Sequence, residues 1–152
     1  ALSSAASDVY KRQVQAIGIM YTKLLSVDNK AIMIPNGNLS NASITNVTYQ
    51  EKRRVDLNVG IEYSEDIKKV RKVLNALIEK EPARITDEPV KIYVNEFQAS
   101  SIDIGIRYWV KTEDYWESRW RVLEEIKEEF DNNNIAIPFE QLDVNLIPQE
   151  KE

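Results

Sequence analysis

The sequence predicts an α+β fold: a small β module followed by a split βαβ unit. Three observations carry that reading. Several short runs alternate apolar and polar residues at period 2, the spacing of half-buried strands. Two longer stretches, after Ser64 and after Thr112, repeat their apolar residues at helical spacing instead. From Val55 onward the order is strand, helix, strand, strand, helix, strand, the ferredoxin-like βαββαβ arrangement.

Residues 1–13, ALSSAASDVYKRQ, are small and polar and share no periodicity with the rest of the chain. They also resemble translated adapter DNA, so they are read as a non-native lead-in and excluded from the fold. On that reading the natural protein continues upstream of Val14.

Residues 14–50 read as the β module. Ile17, Ile19 and Tyr21 alternate with Gly18 and Met20, as one strand would. Asp28-Asn29 is a tight-turn pair, because both residues tolerate left-handed backbone. It predicts a hairpin of residues 22–27 with 30–34. Pro35 has no N–H for a ladder and ends it. Asn36-Gly37 predicts a second turn, and residues 43–48 one more short strand, with Ile44 and Val47 inward.

Residues 51–140 read as the α/β domain. After the charged junction at residues 51–54, Val55, Leu57, Val59, Ile61 and Tyr63 alternate with polar residues and predict a strand with one buried face. Ser64 is the expected N-cap of a first helix, with Ile67, Val70, Val73, Leu74, Leu77 and Ile78 as its apolar stripe. Val90, Ile92 and Val94 predict the second strand, and Ile102, Ile104, Ile106, Tyr108 and Val110 the third. Thr112 is the expected cap of a second helix, with Trp116, Trp120, Leu123, Ile126 and Phe130 as its core stripe. Asn132-Asn133-Asn134 ends it, and Ile135, Ile137 and Phe139 predict a last short strand. Residues 141–152 hold one leftover alternation, Val144 and Leu146. A terminal strand with no partner in its own chain predicts pairing between subunits.

Composition narrows the function. The chain has 152 residues, no Cys, no His and a net charge of −5. Without Cys there is no disulfide, thiolate metal site or cysteine nucleophile. Without His the commonest general base and metal ligand is missing. The four Gly, at 18, 37, 60 and 105, build no phosphate loop. No catalytic, cofactor-binding or metal site is therefore assigned, and an enzyme is not expected. No apolar run approaches the ~20 residues that span a bilayer.

Weaker signals have plain readings. Lys52-Arg53-Arg54 is the basic cluster, read as a solvated or inter-domain patch in an acidic chain, and no nucleic acid is expected as a partner. The strand SIDIGIRYWV lacks the aromatic motif of RNA-binding sheets. Glu124, Glu125, Glu128 and Glu129 read as a solvated helix face. Trp109 alternates away from Tyr108 and suggests an interface. Asn38, Asn41 and Asn46 begin Asn-X-Ser/Thr triplets that an Asn/Ser-rich turn region produces by chance.

Four stretches together carry a family resemblance. They are YTKLLSVDNKAIMIPNGNLSNASITN at residues 21–46, RRVDLNVGIEYSEDIKKV at 53–70, SIDIGIRYWVKTEDYW at 101–116 and IAIPFEQLDVNL at 135–146. In this order they resemble the cytoplasmic part of the small-conductance mechanosensitive channel family. The resemblance implies a partial Sm-like β domain, the ferredoxin-like domain, and a C-terminal strand at Asp143, Val144, Asn145 and Leu146 that joins an inter-subunit barrel. It also implies seven copies around a water-filled vestibule, with this region cytoplasmic. The pore helices would lie in a preceding segment, anchored in the plasma (inner) membrane. The function so implied is a tension-gated channel that releases ions and small solutes under hypo-osmotic shock, with no cofactor. Glu140 and Leu142 stand where the family often has Pro and a larger polar or basic residue, which bears on the barrel lining and its ion preference. Leu25 likewise stands where many relatives have a basic residue. The alternative from the residues alone is a soluble RNA-binding or ligand-sensing module of Sm-like or ferredoxin-like fold.

Overall fold

The computed structural model describes residues 2–3 and 12–144. The chain divides into two compact units, residues 1–51 and 52–152.

The first unit is a five-stranded sheet of β1 (Leu2–Ser3), β2 (Arg12–Ile17), β3 (Tyr21–Ser26), β4 (Ala31–Pro35) and β5 (Thr45–Asn46), in the order β4-β3-β2-β1-β5. The backbone of Leu2–Ser3 pairs with Arg12 and with Thr45–Asn46, and the β2 ladder begins at Arg12. Ile17, Ile19 and Tyr21 do not share one strand. A turn at Gly18 splits them, closed by Gly18 N donating to Tyr21 O at 2.9 Å, and leaves Ile19 99% exposed. The expected hairpin forms between β3 and β4, with Thr22 opposite Ile34 and Leu24 opposite Ile32. Asn29 takes a left-handed φ of 64° in its turn. Ser26 Oγ accepts from Lys30 N at 2.9 Å and donates to Asp28. The Lys30 ammonium, hydrogen-bonded to Asp28, holds that carboxyl below its ordinary value.

After Pro35 the chain makes a five-residue helix, α1 (Asn36–Ser40), where the sequence predicts only a turn. The reason lies in Asn36, which is occupied in stitching the β2–β3 turn. Its amide nitrogen donates to Gly18 O at 2.9 Å and Ile19 O at 3.1 Å, its side-chain oxygen accepts from Thr22 Oγ1 at 2.8 Å, and its backbone N donates to Met20 O at 2.9 Å. The last strand is shorter than expected, and Ile44 is exposed, not inward.

The second unit holds β6 (Lys52–Ile61), α2 (Ile67–Lys80), β7 (Lys91–Phe97), β8 (Ile102–Lys111) and α3 (Tyr115–Asn132). The sheet order is β6-β8-β7, with β8 antiparallel to both neighbours. This is a split βαβ in which β8 fills the gap between β6 and β7. One face of β8 buries Ile102, Ile104, Ile106, Tyr108 and Val110 against Val55, Leu57 and Ile61 of β6. Val70, Leu74, Leu77 and Ile78 of α2 and Val122, Ile126 and Phe130 of α3 cover that face. Each fully buried aliphatic side chain stabilises the unit by roughly 1.5–3 kcal/mol.

The second unit departs from expectation at four points. Asp66, not Ser64, caps α2, its carboxylate accepting from Lys68 N at 2.8 Å. Tyr63 is exposed and stacks on Phe97, with ring centroids 6.4 Å apart. Helix α3 starts after Asp114, not Thr112, and buries Ser118, Val122, Ile126 and Phe130; Trp116, Trp120 and Leu123 lie on an exposed flank. Residues 135–139 form no strand. Asn134 takes a left-handed φ of 51°, and Ile135 N donates back to Phe130 O at 2.8 Å. That ties Ile135 to the helix end, and Pro138 has no N–H for a ladder. The sixth element of the expected βαββαβ order is irregular chain.

Candidate assembly surface

The chain leads from the end of α3 to the segment expected to join subunits, residues 143–146. The α3 terminus is a Schellman cap: Ile135 N bonds Phe130 O, and Asn134 N bonds Asp131 O at 3.2 Å. Phe130 and Ile135 are both buried in the core cluster. The next residue runs beside the end of β6. Glu62 N donates to Ala136 O at 3.2 Å, and Ala136 N donates to Glu65 Oε1 at 2.8 Å. Further on, Gln141 N donates to Ser100 Oγ at 3.2 Å, so the segment is pinned to the turn between β7 and β8. Glu62, Tyr63, Ser64, Ser100, Gln141 and Asp143 line a cavity of about 330 Å³ at this corner.

Past Ile135 the segment turns its apolar groups outward. Phe139 is 89% exposed, and Leu142 and Val144 are exposed as well. Asp143 and Val144 are in solvent and in no ladder, whereas Asn145 and Leu146 lie outside the described residues.

The basic junction does not form a patch. Lys52 Nζ pairs with Glu88 at 2.5 Å, Arg53 lies over the Tyr115 ring at 3.6 Å, and Arg54 pairs with Asp56 at 2.8 Å. Three neighbouring cations are directed to three separate partners. On the helix-free face of the sheet, Asp103 is buried and accepts from Asn58 at 2.9 Å and Asn95 at 2.8 Å, so its carboxylate is committed within the sheet. Beside it the Tyr93 ring lies over Gly105. A Cβ there would come 2.6 Å from the ring, so any other residue requires the Tyr93 ring to move. Trp109 is half-buried, and its carbonyl accepts from Ile85 N at 2.8 Å. This face carries no row of open stacking rings of the kind single-stranded RNA requires.

The remaining candidates resolve locally. Burial, with Glu81 nearby, pushes the Glu125 carboxyl up, while Glu129 accepts from Asn133 Nδ2 at 3.3 Å. Among the described residues no group of three or more acidic, His or Cys side chains is placed to hold a metal. Asn46 Oδ1 accepts from both Thr48 N and Thr48 Oγ1 at 3.1 Å, an Asx turn that accounts for that triplet. Among the described residues no helix is long and apolar enough to cross a membrane. Sequence reasoning missed Asn36 and the Trp116–Trp120 flank. The Asn36 contacts cross fourteen to eighteen residues of chain and leave no local pattern.

Comparison with known proteins respects the same division. Residues 55–137 match the family model described as the C-terminal part of the mechanosensitive ion channel MscS, and residues 10–49 match the beta-domain model of mechanosensitive ion channels. A small-conductance mechanosensitive channel of Edwardsiella ictaluri is 38% identical over 133 residues, covering 88% of this chain and 46% of that protein. An uncharacterised MscS family protein of Synechocystis sp. is 38% identical over 140 residues, covering 91% of this chain and 47% of that protein. The chain thus spans about half the length of these relatives. The crystal structure of Helicobacter pylori MscS in its closed state superposes with a TM-score of 0.88 at 29% identity, over 97% of this chain and 58% of that one. Arabidopsis thaliana MSL1, at 15% identity and a TM-score of 0.67 over 89% of this chain and 51% of that one, shares the fold.

Proposed function

We propose, because this chain belongs to the MscS family of mechanosensitive ion channels, that it is the water-facing C-terminal region of a membrane-tension-gated channel releasing ions and small solutes under hypo-osmotic shock. The observation that carries this reading is the ordered pair of family matches over residues 10–49 and 55–137. On this reading the first unit is the later part of an Sm-like β domain. The second is a ferredoxin-like domain whose last strand stays irregular in a single copy. Seven copies enclose a vestibule on the cytoplasmic side of the inner membrane, and membrane helices of the whole protein form the pore. Residues 143–146 pair between copies in a basal barrel, which the bare apolar segment after Ile135 supports. The region does no chemistry: it holds the copies in register and filters what reaches the pore. The RNA-binding or ligand-sensing alternative is not favoured, since Lys52–Arg54 is dispersed onto separate partners.

The test is electrical. The complete coding sequence, read from its source locus, is expressed in cells lacking mechanosensitive channels. Excised patches should show stretch-activated currents, and the cells should survive osmotic downshock. A complete gene without membrane helices, or patches silent up to lytic tension, would sink the channel reading.

A further inference from the structure

The second unit carries complementary chemistry on two opposite flanks. Helix α3 lies over the β6 side of the sheet, where Arg119 Nη1 donates to Asp56 O at 2.8 Å, and α2 lies over the β7 side. The outer flank of α3 displays Trp116, Trp120 and Leu123, one row at i, i+4 and i+7. Trp120 is 57% exposed and Leu123 40%, and the two indole rings lie 5.8 Å apart. Glu117 and Glu124 border the row, exposed and in no ion pair among the described residues. A solvent-facing tryptophan pair, its rings in contact at a 35° tilt, is unusual on a surface that stays bare and typical of the centre of an interface.

The α2 flank is the converse. Lys68, Arg71, Lys72, Asn75 and Glu79 line a shallow hollow along the helix, three cations to one carboxylate. Past Asn75 the surface continues over the edge strand β7 to Lys91, Tyr93 and Arg107. Lys68, Arg71 and Lys72 are exposed and have no carboxylate partner among the described residues. Cations beside a hollow receive aromatic rings and carboxylates favourably.

We propose that the Trp120 flank of one copy docks on the Arg71–Lys72 flank of the next copy, in a head-to-tail contact. The occupant is a second copy because both complementary surfaces belong to one chain. Neither flank matches itself: a two-fold contact would set carboxylates against carboxylates or cations against cations. A contact between different faces of identical chains repeats around an axis and closes into a ring when the rotation allows. The inference rests on the assembly proposed above and assigns to it a surface separate from residues 143–146.

The chain has no cysteine, so thiol cross-linking has no background. Glu117→Cys and Lys72→Cys chains, which keep both tryptophans, are made singly, mixed, and treated with a short bismaleimide. The mixture should give a one-to-one mixed dimer on a denaturing gel, each chain alone should stay uncross-linked, and a chain carrying both changes should give a ladder. Arg71→Glu in the Lys72→Cys chain should weaken the mixed dimer several-fold. A missing mixed dimer, or a Glu117→Cys chain that cross-links to itself, overturns the contact. Light scattering of the unmodified chain separates the two ideas. An oligomeric mass without the cross-link removes this contact and leaves assembly standing, while a monomer without it removes both for this chain.

Discussion

Glu81 shows how one residue joins two helices. It is 4% exposed at the end of α2, and its carboxylate accepts from Arg121 Nε at 3.0 Å and from Ala83 N at 3.1 Å. Burial pushes this carboxyl up, but Arg121 and the Ala83 amide outweigh it and hold it below the ordinary value. A carboxyl lowered in the folded state adds stability above its unfolded pKa and loses it as pH falls through the folded one. In Arg121→Leu, burial acts with the main opposing charge removed. The variant should lose about 2 kcal/mol at pH 7, below the usual loss for a broken buried pair because the guanidinium is 37% exposed. Urea unfolding at several pH values should show the gap close on acidification through the carboxylate range. A gap independent of pH would assign the loss to packing of the arginine stem. Ser118 is the same kind of residue: fully buried, its hydroxyl 3.0 Å from Tyr108 Oη, whose phenol burial pushes up to about 12. Neither partnership was legible in the sequence, because a polar residue at a core position reads as a surface residue until its partner is placed.

At the scale of elements, α3 shows both what patterning reveals and where it misleads. Its existence, type and end were legible from the helical repeat and the Asn132–Asn134 run. Of its buried face only Ile126 and Phe130 were legible. Trp116, Trp120 and Leu123 form one periodic row, and Ser118, Val122, Ile126 and Phe130 form another. Hydrophobicity ranks the tryptophan row higher, but the fold buries the row containing a serine that Tyr108 satisfies. The β2–β3 turn fails for a related reason: Ile17, Ile19 and Tyr21 keep strand alternation straight through it, and the one cue was Gly18. The end of α3 yields a prediction. Asn134 occupies the left-handed position of the cap, which asparagine tolerates and alanine does not. Asn134→Ala should cost about 1 kcal/mol, and Asn134→Gly should cost nothing or stabilise slightly. Thermal unfolding of the pair reads this directly, and equal losses in both would mean the side chain itself, not the backbone, holds the cap.

At the scale of the whole molecule, the chain divides into residues 1–51 and 52–152, and the sequence changes its grammar at the charged junction of residues 51–54. The candidate barrel residues rest on resemblance, since a pairing segment without its partner shows only bare apolar groups, as Val144 does. If Val144 enters an inter-subunit barrel, Val144→Lys buries an unpaired charge and should reduce the oligomer mass of the full-length protein in detergent. An unchanged mass would count against that placement. The two units also differ in self-sufficiency. The second has a three-stranded sheet, two covering helices and a cluster of sixteen buried apolar residues. The first buries, among its described apolar residues, only Leu24, while Ile17, Met20, Val27 and Met33 remain in solvent. Folding must offset roughly 1–2 kcal/mol of backbone entropy per ordered residue, which one buried leucine and a network of turn hydrogen bonds cannot do. A chain of residues 52–152 should therefore unfold in urea with one cooperative transition. A chain of residues 1–51 should show none at concentrations where it is monomeric. Cooperative unfolding of the short chain would show that its sheet is stable without a cover. Its exposed isoleucines and methionines would then be surface, not the unfinished half of a core.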